Sequence, residues 1–219
     1  MRDDMLIRGV ARALDGCHQF FLDAFTSLTV NGITGDYVEF GSWGGNTMKA
    51  AYDEMSSHDP RHMWAFDSFE GLPDTGDPHD SHPSLRLGGT GQGGVEQFRV
   101  ACDAHGIPRH AYTAVEGFYD QTLPPLGVDG PPFDIALAYL DCNLHSSTAT
   151  VLEFLAPRLK HGMILAFDDW HLWTSNDVSG ERRAFADFAA KRPEWHFERY
   201  KDVHRAGVSF VVEQADLLG

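Results

Sequence analysis

Three acidic points in this 219-residue chain each follow a short apolar run. Asp67 follows Met63-Trp64-Ala65-Phe66, Asp141 follows Leu137-Ala138-Tyr139-Leu140, and Asp168-Asp169 follows Met163-Ile164-Leu165-Ala166-Phe167. If these runs are adjacent parallel strands, Asp141, Asp168 and Asp169 meet at one carboxyl edge, where like charges repel unless a divalent cation neutralises them. An oxygen-only donor set selects a hard ion such as Mg2+. A second reading stays open on these residues alone: Asp141 caps the following helix, helped by Ser146 or Ser147, while one of the Asp168-Asp169 pair faces solvent. Asp67 stands where an acidic side chain in a doubly wound sheet accepts hydrogen bonds from ribose hydroxyls, and it too has a capping alternative.

The stretch Asp36-Tyr37-Val38-Glu39-Phe40-Gly41-Ser42-Trp43-Gly44-Gly45-Asn46-Thr47 runs from a strand-like segment into clustered glycines and then into a helical pattern (Met48, Ala50, Ala51, Tyr52). Glycines allow a ligand close to the turn, and the helix beyond offers free backbone N–H groups and a positive dipole end. The spacing is G-x-x-G-G, so the G-x-G-x-x-G pyrophosphate fingerprint is missed. Glu39 repels a phosphate and suits a cationic or hydroxyl-bearing ligand. The combination favours S-adenosylmethionine, which carries an amino acid group, a sulfonium and a ribose but no phosphate.

The elements that must position these residues alternate between strand and helix. A helix over 10–28 precedes strands at 37–40, 63–66, 111–115, 135–140 and 163–167, with helices at 46–55, 147–158 and 180–192. The later strands are apolar on both faces, as in a parallel sheet covered by helices. Residues 195–200 and 208–212 read as an antiparallel pair. One domain is expected over 1–219, with 1–35 as a helical cap that covers the cofactor site or pairs two subunits. The polar, glycine-containing stretch 69–94 reads as a lid loop in which His79 and His82 meet acceptor or solvent. Trp43, Trp170 and Trp173 are either platforms for a sugar ring or core residues.

Composition restricts the context. With 42% hydrophobic and 12% aromatic residues, the chain can bury the core of one α/β domain. A formal net charge of -15 repels polyanions, which argues against a nucleic-acid or anionic membrane partner. The first residues, Met1-Arg2-Asp3-Asp4-Met5-Leu6-Ile7-Arg8, are charged where an export signal is apolar, and no later run is long enough to span a bilayer. Cys17, Cys102 and Cys142 are odd in number and far apart, as expected of reduced thiols in a cytoplasm.

Taken together, five segments closely resemble the macrocin (TylF/MycF-type) O-methyltransferases over about 36–188. They are Glu39-Phe40-Gly41-Ser42-Trp43-Gly44-Gly45, Asp67-Ser68-Phe69-Glu70-Gly71-Leu72-Pro73, Glu116-Gly117-Phe118-Tyr119-Asp120-Gln121-Thr122-Leu123-Pro124, Asp141-Cys142-Asn143-Leu144-His145-Ser146-Ser147-Thr148 and Asp168-Asp169-Trp170. The second of these is the most specific, because it falls directly after an expected strand. The resemblance implies a class I methyltransferase fold: an α/β, Rossmann-like sheet, mostly parallel with an antiparallel C-terminal strand and with helices on both faces. It also implies S-adenosylmethionine as methyl donor, a Mg2+ ion, a saccharide or glycoside hydroxyl as acceptor, and a homodimer or higher homo-oligomer. By position, Asp141, Asp168 and Asp169 become the metal ligands. Glu39, Gly41, Ser42, Gly44, Asp67, Ser68, Glu116 and Gly117 become the cofactor-binding residues. The family often has Asp-Gly-Asp-Leu-Tyr where this chain has Asp141-Cys142-Asn143-Leu144-His145, so a charge is lost at Asn143 and a titratable ring replaces a phenol.

A sulfonium methyl is already activated, so such an enzyme must align an oxygen with the S–CH3 bond and ease removal of its proton. Asp141, His145 and His171 are the expected catalytic residues, with His145 the first choice as base and His171 the second. The acceptor is a natural-product glycoside or a small oligosaccharide, such as a mannoside of the methylmannose polysaccharide type. Three other readings stand beside it: a catechol-type O-methyltransferase, a non-catalytic cofactor-binding module, and a nicotinamide-dependent dehydrogenase, which the glycine spacing disfavours.

Overall fold

The computed structural model describes residues 2–55, 57–80, 82, 85, 93–172, 178 and 180–219, with side chains from residue 13 onward. Tyr37, Val38, Glu39 and Phe40 lie wholly inside β1 (Asp36–Phe40), with helices over both faces of the sheet. β1 pairs in parallel with β2 (Met63–Asp67) on one side and β4 (Ile135–Leu140) on the other. β2 carries β3 (Tyr112–Glu116), and β4 carries β5 (Ile164–Phe167), again in parallel. The last two strands, β6 (Trp195–Asp202) and β7 (Val208–Gln214), form an antiparallel pair, and β7 closes antiparallel onto β5. The resulting order is β3-β2-β1-β4-β5-β7-β6. The chain reverses direction across the sheet between β1 and β4, and ligands of such sheets bind in the crevice outside the carboxyl ends at that point.

Strand alternation divides the core into two layers. On one face, Tyr37, Tyr139 and Ala166 meet Phe20, Phe21, Phe25 and Leu28 of α1 (Arg2–Val30) and Met48 of α2 (Asn46–Glu54). On the other, Val38, Phe40 and Leu140 meet Val151 and Leu155 of α5 (His145–Leu155) and Phe185 of α6 (Gly180–Ala189). The apolar stripe of α1, Cys17, Phe20, Phe21, Ala24, Phe25 and Leu28, has helical spacing and is spent on the sheet, with the Phe21 ring 5.6 Å from Tyr37 and 5.5 Å from Tyr139. A helix expected to cover the cofactor or pair subunits is thus first a wall of the core.

Two short helices escape sequence reading: α3 (Gly94–Ala104) and α4 (Tyr119–Thr122). α3 buries Phe98 and Cys102, but the glycines ahead of it make the segment read as loop. In the stretch expected as a lid, residues 71–77 have no regular secondary structure and Pro78–Asp80 form one 3-10 turn, while residues 81, 83, 84 and 86–92 lie outside the described residues. Among the described residues, no helix is long and apolar enough to cross a membrane.

Candidate active site

Gly41 ends β1 at φ 96°, and a Cβ there would run into the Asp141 carbonyl oxygen. Only glycine lets β1 and the end of β4 approach so closely. The turn beyond is held by Asp67, whose Oδ2 accepts the N–H of Ser42 at 2.8 Å and of Trp43 at 2.9 Å, while Oδ1 accepts the N–H of Phe69 at 2.6 Å. Asp67 therefore serves as a turn cap, with one lone pair of Oδ1 left over. Behind the turn, Glu39 is fully buried and accepts a hydrogen bond from Tyr37 Oη, while among the described residues its Oε1 and the Ser42 Oγ make no hydrogen bond of good geometry, although the Ser42 hydroxyl is near enough to favour the charged carboxylate. Burial pushes the Glu39 carboxyl from 4.5 up to about 8.

A cavity of about 580 Å³ opens over this turn and reaches the end of β4. Gly41, Asp67 and Ser68 line one side, Tyr119 and Asp120 another, and Asp141 and Asn143 the floor toward α5. Trp43 also lines it while remaining 63% exposed. Five residues expected at the cofactor do not line the cavity. Glu39 lies behind the turn, and the Gly44 carbonyl accepts from His105 Nε2 at 3.3 Å. Glu116 accepts the N–H of Val95 at 3.2 Å at the start of α3, and Gly117, at φ 132°, donates its N–H to the Asp67 carbonyl. Ser42 is likewise buried, contributing its backbone to Asp67.

At the far side of the floor, carboxylate oxygens of Asp141, Asp169 and Glu181 all lie within 4.8 Å of one another. Glu181, fully buried at the start of α6, accepts the N–H of Cys142 at 2.9 Å and of Asn143 at 3.3 Å through Oε1, and of Asp169 at 2.9 Å through Oε2. One side chain thereby ties the loop after β4 to the loop after β5. Burial, then the neighbouring charges of Asp168 and Asp169, hold the Asp141 carboxyl well above its usual range, and burial first also raises Asp169 to about 6. An all-oxygen cluster of this kind, partly buried and self-repelling, fits a hard dication such as Mg2+.

Asp168 is placed differently from the expectation. Its Oδ1 accepts hydrogen bonds from Tyr139 Oη and from His204 Nε2, the latter at 2.8 Å, on the α1 side of the sheet. The structure thus brings together Asp141, Asp169 and the unforeseen Glu181. The available signal was an acid at the head of an apolar stripe, Glu181, Ala184, Phe185 and Phe188.

Neither expected histidine lines the cavity. His145 Nδ1 lies 3.2 Å from Asp77 Oδ2, with its ring 5.1 Å from that of His79. His171 is exposed and donates its backbone N–H to the Ala206 carbonyl at 2.9 Å. Trp170 packs against Phe167, Phe185 and Phe210 with centroids at 5.0 to 5.5 Å, a core role rather than a sugar platform, and Trp173 lies outside the described residues.

The chain has relatives among known proteins. A profile of the Macrocin-O-methyltransferase (TylF) family matches residues 15–193. The 8-demethyl-8-(2,3-dimethoxy-alpha-L-rhamnosyl)-tetracenomycin-C 4'-O-methyltransferase of Streptomyces olivaceus is 30% identical over 163 residues, covering 72% of this chain and 61% of that enzyme. The demethyldecarbamoylnovobiocin O-methyltransferase of Streptomyces niveus is 28% identical, covering 73% and 62%. The chain therefore spans less than two thirds of the length of these relatives. Among solved structures, the O-methyltransferase NovP superposes with a TM-score of 0.71 at 22% identity, over 91% of this chain and 80% of that one. The calicheamicin methyltransferase CalS11 gives 0.68 at 27%, over 87% and 76%. The fold is that of the class I O-methyltransferases.

Proposed function

The chain belongs to the macrocin O-methyltransferase (TylF) family, and from this membership we propose that it transfers a methyl group from S-adenosylmethionine to a hydroxyl of a sugar on a small-molecule glycoside, with Mg2+ as cofactor. The observation that carries the reading is the continuity of one cavity from the Gly41–Asp67 turn to the Asp141 carboxylate after β4. Donor and acceptor must meet within such a space for in-line transfer. The relative from Streptomyces olivaceus is named for 4'-O-methylation of a rhamnosyl-tetracenomycin, which favours a deoxysugar glycoside over a catechol. A mannoside or small oligosaccharide remains within the same chemistry.

Gly41 would supply bare backbone toward the donor's amino acid portion, and the remaining lone pair of Asp67 Oδ1 would be available to its ribose. Asp141 and Asp169, tied together by Glu181, would hold the cation, with Asp168 beside them. A bound Mg2+ supplies Lewis-acid polarisation that lowers the pKa of a hydroxyl. Asp141, the cluster member that also lines the cavity, orients the acceptor hydroxyl and receives its proton. His145 and His171 stand outside the cavity, so the carboxylate takes precedence over either as base. Residues 71–75 form the wall that excludes water. The assembly is a homo-oligomer acting in the cytoplasm.

The test is calorimetric titration with S-adenosylhomocysteine, with and without Mg2+, followed by transfer of labelled methyl to a panel of rhamnosides, mannosides and a catechol. Cofactor binding with Mg2+-dependent methylation of a sugar is the expected result. Methylation of the catechol alone overturns the acceptor class, and cofactor binding without transfer to any acceptor points to a binding module.

A further inference from the structure

The proposed cation site leaves two buried groups without a role, His204 and Tyr139, and both converge on Asp168 Oδ1. His204 lies in the turn between β6 and β7, which is closed by the Val203 N–H on the Gly207 carbonyl at 3.1 Å. Its ring is only 6% exposed. Three close approaches build its seat. A Cβ on Gly16 of α1 would come within 2.9 Å of the His204 Cβ, and a Cβ on Gly207 within 2.7 Å of the Phe167 carbonyl oxygen. The Ala206 carbonyl takes the His171 N–H at 2.9 Å. The turn is thus docked against α1 and against the segment that leads into Asp168.

The tautomer of His204 follows from its neighbours. Nδ1 lies 3.1 Å from the Ala206 backbone N–H, which can only donate, so Nδ1 is the acceptor and the proton sits on Nε2. Nε2 then donates to Asp168 Oδ1, where Tyr139 Oη also donates. Among the described residues no hydrogen bond reaches Asp168 Oδ2.

Cys17, Asp168 and His204 lie close enough together to suggest a metal site of their own. That alternative fails on the same geometry, because a metal on Nε2 needs the lone pair there and a proton on Nδ1, opposite to what Ala206 requires. Burial also pushes the Cys17 thiol up to about 12, so no thiolate is on offer.

We propose that His204 and Tyr139 are positioning residues: together they anchor Asp168 through Oδ1 and turn its Oδ2 toward Asp141 and Asp169, completing the donor set for the divalent cation. This inference rests on the Mg2+-dependent reading above. Ligands held by outer hydrogen bonds are common in metal sites, and losing such a partner typically weakens affinity by about 10–100-fold.

The experiment measures Mn2+ binding by electron paramagnetic resonance, and Mg2+ by competition, on the full chain and on Tyr139→Phe, His204→Leu and His204→Gln. S-adenosylhomocysteine affinity in chelator reports that the cofactor half stays folded. Tyr139→Phe removes only a hydroxyl, so it covers the case in which His204→Leu misfolds. The expected result is Mn2+ affinity weakened by about 10-fold or more in Tyr139→Phe and His204→Leu, largely restored in His204→Gln, with cofactor affinity unchanged. A wild type that binds Mn2+, with Tyr139→Phe and His204→Leu binding it equally well, overturns this inference alone. A wild type that binds neither cation overturns the metal-dependent reading and this inference with it.

Discussion

Asp80 caps a helix 66 residues away: its Oδ1 accepts the backbone N–H of Ser146 at 3.0 Å, and its Oδ2 accepts the Ser146 hydroxyl at 2.6 Å. α5 has no side-chain cap of its own, since Leu144 precedes it, so the orphan N–H at its first turn is satisfied from outside. Thr75 Oγ1 donates to the same carboxylate, which is 1% exposed. The contact therefore fixes both the start of α5 and the segment that walls the cavity.

Replacing Asp80 by Ala strands those donors, and losses of this kind cost about 1–3 kcal/mol. The expected outcome is a fall in stability of that size in urea unfolding, together with weaker S-adenosylhomocysteine binding, because Gly71, Leu72 and Thr75 line the cavity. Unchanged cofactor affinity in the destabilised variant would mean that residues 71–80 do not shape the donor site.

Gly41→Ala tests the closeness of β1 and β4. The residue must keep φ near 96°, which costs a non-glycine residue about 1–3 kcal/mol, and its methyl would also displace the Asp141 carbonyl. Both penalties fall on the cavity floor. The variant is expected to lose cofactor binding by calorimetry even where circular dichroism reports a folded chain, and full retention of binding rejects the role given to this turn.

The strands and the longer helices follow from local patterns that a sequence exposes: apolar runs, glycine punctuation and helical stripes. The carboxylates did not all follow, for a reason that lies in the period of the strand. Consecutive residues point to opposite faces, so when β5 sends Phe167 to the α6 side and Ala166 to the α1 side, Asp168 continues toward α1 and Asp169 toward α6. Adjacent acids in sequence thus leave the strand on opposite sides, and Asp168 joins Asp169 at one ion only if its Oδ2 is turned back, the role proposed for His204 and Tyr139. Glu181 reaches the same cluster from a helix, by tertiary packing that no spacing rule near Asp169 announces. His145 was legible as a neighbour of Asp141 along the chain, yet at the head of α5 it turns to Asp77 instead.

Glu39 gives the fold a dependence on pH. Its carboxyl titrates near 4.5 in an unfolded chain and is raised to about 8 when buried, so between these values the folded state holds the extra proton. Stability from this group is full at low pH and is lost as pH rises through about 8. Glu39→Gln mimics the protonated side chain without titrating. Urea unfolding in chelator should become less stable for the wild type from pH 5 toward pH 8 and flatter for the variant, and parallel pH curves for the two proteins exclude Glu39 as the source.

Glu181→Gln sets two effects against each other. The amide presents a single acceptor oxygen to N–H groups that now meet both carboxylate oxygens, so at least one of the Cys142, Asn143 and Asp169 donors faces another donor, a loss of about 1–3 kcal/mol. Removing the charge, however, relieves repulsion with Asp169 and Asp168, which together with burial holds the Glu181 carboxyl well above its usual range. That relief counts only when no cation neutralises the cluster. The variant should therefore be clearly less stable than wild type in saturating Mg2+, and the gap should narrow in chelator. Equal stability of the two proteins in Mg2+ would show that the three backbone hydrogen bonds contribute little, and an identical gap under both conditions would detach Glu181 from the cation site.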